Sequence, residues 1–235
     1  MRPRMFKRVT LILLGCIAAF LLYFWLTYPN VAKLRDTNPE STAMIDNRMA
    51  EAESEGRAPK RVQTWVPLDR ISPNVFRAVI AGEDTRFFEH DGFDYDALRE
   101  AAEENWEQKK IVRGASTITQ QLAKNLYLSE SKDPLRKIRE AMITKSLESN
   151  LTKWRILEIY LNVIEWGDGI YGVEAAAQTY FGTSAARLSA SQAAHLSAMI
   201  PNPRTVYNPS KNPRNVARRQ RVIARYMRGV RLPKR

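Results

Sequence analysis

The sequence predicts a mainly helical protein with one N-terminal transmembrane helix, and three observations carry that expectation. Capping signals followed by apolar residues at helical spacing recur between residues 72 and 200, while no stretch alternates apolar and polar residues as a strand does. An uncharged run of twenty residues, 9–28, follows a basic N-terminus. A chain of 235 residues that is 44% hydrophobic has enough apolar surface for one packed domain.

The first element is the apolar run VTLILLGCIAAFLLYFWLTY, preceded by Arg2, Arg4, Lys7 and Arg8. It is long enough to cross a bilayer. Tyr23, Trp25 and Tyr28 supply interfacial rings at its far end, and the basic cluster keeps residues 1–8 in the cytoplasm. LLGC at 13–16 resembles a lipoprotein processing site, but the apolar run continues beyond Cys16, which suits an uncleaved anchor. Residues 29–61 are polar with no sustained apolar period and are expected to be a linker to a domain at 62–210.

Ser72 and Pro73 then open a helix with Val75, Phe76, Val79 and Ile80 on its apolar face, ending at Glu83. Further helices are expected at 96–107, 117–128, from Asp133 and Pro134 onward, and at 153–164, 172–180 and 189–200. The last has a capping box between Ser189 and Gln192 and stops at Pro201. Residues 211–235 hold ten Lys or Arg and no acid, so most of the net charge of +12 lies there. They are expected to be a basic tail lying on anionic headgroups, whose loss would weaken membrane association and leave the chemistry of the domain intact. The single Cys16 and the two histidines, His90 and His195, exclude disulfide frameworks, Cys-rich zinc sites and multi-histidine centres. Any metal would be held by oxygen.

Three stretches have the residue types for chemistry. In EDTRFFEHDG, 83–92, acids stand beside Phe87 and Phe88. Desolvation there would raise a carboxyl into the range of a general base; a helix end followed by a charged turn is the other reading. In RGASTITQQLAKN, 113–125, Ser116 or Thr117 caps a helix whose buried stripe is Ile118, Leu122 and Leu126. Its other face offers Thr117, Gln120, Gln121 and Lys124 near a helix N-terminus, either for a phosphate or simply for solvent. In DPLRKIREAMITKSLE, 133–148, Arg136, Lys137 and Glu140 share one side. They form an ordinary ion pair, or they hold a pyrophosphate directly or through a divalent ion. KWRILEIYLN, 153–162, and GVEAAAQTYFG, 172–182, read as packing and scaffold. The one S-x-x-K match, Ser129 to Lys132, lacks a K-T-G companion.

In this order and spacing the five blocks EDTRFFEHDG, GASTITQQLAKN, RKIRE, KWRILEIYLN and GVEAAAQTYFG resemble the peptidoglycan glycosyltransferases, from Val66 to about Pro209, in their monofunctional form. The resemblance implies a lysozyme-like helical glycosyltransferase domain that polymerises lipid-linked disaccharide-pentapeptide (lipid II), with inversion and release of undecaprenyl pyrophosphate. It makes Glu83 the general base for the acceptor 4-hydroxyl and Glu140 the second glutamate, near the pyrophosphate. Lys124, Lys132, Arg136 and Lys137 are then the cations of the leaving group, Ser116 and Gln121 orient substrate, and Asp84, Phe87 and His90 support the base, with Phe88 beside them. No covalent cofactor is implied; a magnesium or manganese ion at the pyrophosphate would have Glu140 as a ligand. The implied partners are lipid II, the nascent strand, the bilayer and other cell-wall synthesis proteins, including a separate transpeptidase, with no nucleic acid. The implied setting is the bacterial inner membrane with the catalytic domain periplasmic, and Trp106, Ile111 and Val112 as lipid contacts. The rival readings are a lytic transglycosylase, which needs no pyrophosphate site, and a non-enzymatic basic binding protein.

Overall fold

Ten helices and a small three-stranded sheet make up the regular structure among the described residues, 3–109, 114–129 and 133–234, of the computed structural model. Two units are distinguished, Met1–Asn30 and Val31–Arg235. The first consists of α1 (Pro3–Leu26), closed by Thr27, whose Oγ1 donates to Tyr23 O at 2.8 Å. Among the described residues no helix is long and apolar enough to cross a membrane. The side chains at 3–7, 9, 17, 20 and 21, four of which belong to the apolar run, lie outside that description.

The second unit starts earlier than the sequence suggests. Residues 31–61, expected to be a linker, are instead packed into the domain. Val31 and Leu34 are buried in the turn Val31–Arg35, and α2 (Ala43–Ser54), capped by Thr42, buries Ile45 and Ala52. Arg155 holds the turn by donating to Leu34 O at 2.8 Å and Thr37 O at 2.9 Å. These four apolar residues are too widely spaced to show a period, but they suffice once other elements supply the opposing surface.

The expected helices follow as α3 (Pro73–Glu83), α4 (Tyr95–Glu107), α5 (Ile118–Tyr127), α6 (Pro134–Asn150), α7 (Lys153–Val163), α8 (Val173–Phe181) and α9 (Ala190–Met199). Their starts obey local chemistry. Ser72 accepts from Asn74 N before Pro73, Asp94 accepts from Ala97 N, and Thr117, not Ser116, makes a capping box with Gln120. Three short strands were not expected. β1 (Val62–Gln63) runs parallel to the central β3 (Ile170–Tyr171), and β2 (Glu165–Gly167) runs antiparallel to it. Strands of two or three residues are too short to alternate visibly.

Fully buried Asn162 fastens the entry to this sheet. Its Oδ1 accepts from Val66 N at 2.9 Å, its Nδ2 donates to Val66 O at 2.9 Å and Glu158 O at 2.8 Å, and its carbonyl accepts from Gln63 Nε2 at 2.8 Å.

The expected tail is also part of the domain. α10 (Pro213–Tyr226) packs on α9 and α3 through Val216 and Ile223, with Met227 just beyond it, at i, i+7 and i+11. A Cβ on Gly82 would stand 2.6 Å from Ser197 Oγ and 3.1 Å from Ile223 Cδ1, so the last turn of α3 touches both helices closely enough to require glycine. The apolar stripe was hidden by the arginines around it.

Replacing Asn162 by alanine leaves the part-buried Val66 amide without its partner. We expect a loss of roughly 1–3 kcal/mol in unfolding free energy, read as a lower urea midpoint at unchanged slope.

Candidate active site

The last residue of α3 is Glu83, and its side chain is only 7% exposed. Both carboxylate oxygens are taken by donors from other helices. Gln121 of α5 donates through Nε2 to Oε2 at 2.9 Å, and Arg219 of α10 donates through Nη2 to Oε1 at 2.7 Å. The orientation of Gln121 is fixed in turn by Tyr160 of α7, whose hydroxyl donates to Gln121 Oε1 at 2.7 Å. Arg219 also donates to Gly82 O at 2.8 Å and lies over the Tyr207 ring. Burial pushes the Glu83 carboxyl above its ordinary 4.5, against the Arg219 charge and the bonds from Gln121 and Arg219, while Asp84 adds to the rise. Burial, with Glu83 and Asp84 nearby, holds the Tyr160 hydroxyl well above 10, so it remains a donor.

Two cavities, of about 490 and 1030 Å³, meet at this carboxylate. Glu83, Ser116, Gln121 and Pro201 line both of them. Asp84, Asp94 and Arg219 line the smaller one only, and Lys124 and Tyr160 the larger one only. Such volumes are those of small-molecule sites.

Asp84 lies behind Glu83, almost wholly buried. Its Oδ2 accepts from Ile118 N, the first amide of α5, at 2.9 Å, and His90 Nε2 lies 3.0 Å from Oδ1. Gly92 N donates to His90 Nδ1 at 3.1 Å, so the proton shared with Asp84 is on Nε2. Gly92 has φ +91°, and a Cβ there would meet Thr144 Cγ2 at 2.8 Å. Phe87 belongs to the core rather than to the cavities: it packs edge-on to Phe88, which reaches Trp154, and Lys153 Nζ stands 4.6 Å from its ring centre. What surrounds Glu83 is therefore α5, α7 and α10 more than the two phenylalanines.

The second glutamate, Glu140, is buried in α6 and accepts from Arg136 Nη1 at 2.9 Å and from Lys137 Nζ. None of these three residues lines either cavity. Lys132, Ile111 and Val112 lie outside the described residues; Trp106 is fully exposed on α4. A divalent ion does not fit Glu140, because protein cations already face both of its oxygens. Among the described residues only Asp84, His90 and Asp94 gather as metal-ligand types, and their donors are spoken for: Arg86 engages both oxygens of Asp94, and Ile118 and His90 engage Asp84.

Arg219 was missed in the sequence. Its signal is its place on the apolar stripe of α10, three residues after Val216 and four before Ile223. Loss of residues 211–235 would accordingly strip the cation from Glu83, contrary to the expectation of an independent tail.

Residues 49–228 match the transglycosylase family. The chain belongs to that family. Relatives of this transglycosylase, each named biosynthetic peptidoglycan transglycosylase, include that of Chromobacterium violaceum, 50% identical over 222 residues, 94% of this chain and 97% of the relative. Those of Thiobacillus denitrificans (48% over 220 residues, 94% of each chain) and Laribacter hongkongensis (47% over 218 residues, 92% of this chain and 95% of the relative) are similar. The family match takes in the second half of α2 and all of α10 of the transglycosylase, so the helix carrying Arg219 belongs to the shared domain.

A raised carboxyl pKa means that the folded state binds the proton more tightly than the unfolded one, so stability falls as pH rises from 4.5 through the raised value. Glu83→Gln lacks this titration. Denaturation at a series of pH values should give a steeper decline for wild type than for the variant in that window; parallel curves would contradict the raised pKa.

Proposed function

We propose that the chain is a membrane-anchored peptidoglycan glycosyltransferase that elongates glycan strands from lipid II. The observation that carries this reading is a buried carboxylate, oriented by Gln121 and Arg219, where two cavities meet. Glycosyl transfer needs a saccharide on each side of the base, and two cavities offer room for both. In the proposed step Glu83 removes the proton from the 4-hydroxyl of the acceptor sugar. That oxygen attacks the anomeric carbon of the lipid-linked donor from the face opposite the pyrophosphate. The carbon–oxygen bond to the pyrophosphate breaks as the new β-1,4 bond forms, the configuration inverts, and undecaprenyl pyrophosphate leaves with the electron pair. Charge developing there calls for cations. Lys124 on the wall of the larger cavity is one candidate, and Arg136 and Lys137, oriented by Glu140, would serve an extension of the substrate beyond it. Ser116, on both cavity walls, is proposed to contact substrate.

Asp84 and His90 act through the chain as positioning groups. Arg219 has a double part, holding Glu83 in place and keeping its pKa from rising further. For the setting, the basic residues before the apolar run support an N-terminus in the cytoplasm, α1 as the anchor and a domain on the outer face of the inner membrane. The exposed Trp106, Tyr95 and Leu98 of α4 suit contact with the bilayer surface.

Labelled lipid II incubated with wild type should give muramidase-sensitive polymer, and Glu83→Gln should lose roughly 10²–10⁴-fold in rate while keeping its fold. Shortening of preformed glycan with no polymerisation would establish the lytic reading instead. The acid limb of kcat/KM should lie above pH 4.5 and move higher in Arg219→Gln, with KM little changed, because removing the cation takes away an influence that lowers the Glu83 pKa. An unmoved limb would reduce Arg219 to a packing residue.

A further inference from the structure

The larger cavity extends from Glu83 past Tyr160 to a second charged cluster on different elements. Arg48 and Glu51 come from α2, Glu165 from the start of β2, Asp168 from the turn after it, and Arg204 from the loop after α9. Within the cluster the guanidinium groups turn mainly to Glu51: its Oε2 accepts from Arg204 Nη1 at 2.7 Å and from Arg48 Nη1 at 3.1 Å. Arg204 Nε also stands 3.3 Å from Asp168 Oδ1.

Glu165 shares these guanidinium groups, and Arg48 bonds it on one side. Arg48 Nε lies 3.4 Å from its Oε2 and Arg204 Nε 4.0 Å from its Oε1. Its side chain is only 8% exposed, and Oε1 accepts no hydrogen bond. A carboxylate oxygen left so in a buried position is costly unless something arrives to donate to it. Burial outweighs the two nearby cations and lifts the carboxyl to about 7.

We propose that Glu165 is a specificity-determining residue that accepts a hydrogen bond from an uncharged donor of the bound glycan, a sugar hydroxyl or an acetamido N–H, away from the reacting carbon. The flanking guanidinium groups, with Arg57 and Lys211 on the same wall, repel an ammonium group and leave a neutral donor as the matching partner. Since Glu165 lines only the larger cavity, a saccharide short enough to stay at the junction never reaches it. The contact therefore favours longer strands over short ones. This rests on the glycosyltransferase reading, which supplies the glycan.

The test uses the full chain in detergent and β-1,4-linked N-acetylglucosamine oligomers, with two and with six sugars, as neutral probes. Wild type should bind the hexamer more tightly than the dimer, and Glu165→Gln should lose that gain by about tenfold or more, the range of one charge-assisted hydrogen bond, with dimer binding unchanged. A variant that keeps the whole gain overturns the proposal. If the variant does not fold, the Glu165 carboxyl carbon, labelled with ¹³C in wild type, should shift on addition of hexamer and not of dimer; no shift overturns it. Wild type that polymerises lipid II but binds no oligomer overturns this inference alone, whereas failure in both assays removes the glycosyltransferase reading as well.

Discussion

Asp84 accepts the first backbone N–H of α5 and the Nε2 proton of His90, and through these bonds the end of α3 is tied to the start of α5. The turn after α3 is held by the same network, since Thr117 donates to Gly92 O at 2.7 Å while Gly92 N donates to His90. A buried carboxylate at the positive end of a helix is well matched electrostatically and hard to move. Glu83 is the residue just before it in the chain, so this lock sets its distance to Gln121, one turn into α5. The chemistry of the site is thus inherited from a structural bond beside it.

Glu83 itself balances opposing influences. Full solvation would leave it an ordinary carboxylate, and burial without partners would leave it protonated at neutral pH. Arg219 and Gln121 supply donors that favour the ionised form, and burial opposes them with the larger effect. The resulting group is ionisable yet more basic than a surface glutamate, a property that suits the proton abstraction proposed for it.

Much of this was readable in the residues. The helices from Ser72 onward announced themselves through caps and apolar spacing, and Glu83 stood out because acids were set among aromatics. The reason attached to it was incomplete, since Phe87 turned inward to Phe88 and Lys153 and the desolvation came from distant helices. Residues 31–61 and α10 were harder. Their apolar positions are sparse, and nothing local says that Ile45 or Ile223 meets a partner more than seventy residues away. Glu165 was invisible for a related reason: its environment is assembled from α2, β2 and the loop after α9, and no short window contains it.

The ion pair at Glu83 joins residues 136 positions apart in the chain. Contacts of that separation are made only after the intervening chain has found its place. A chain made from its N-terminus would therefore have α3 and α5 before Arg219 is available to Glu83. Docking of α10 then completes the surroundings of that carboxylate from the far end of the chain.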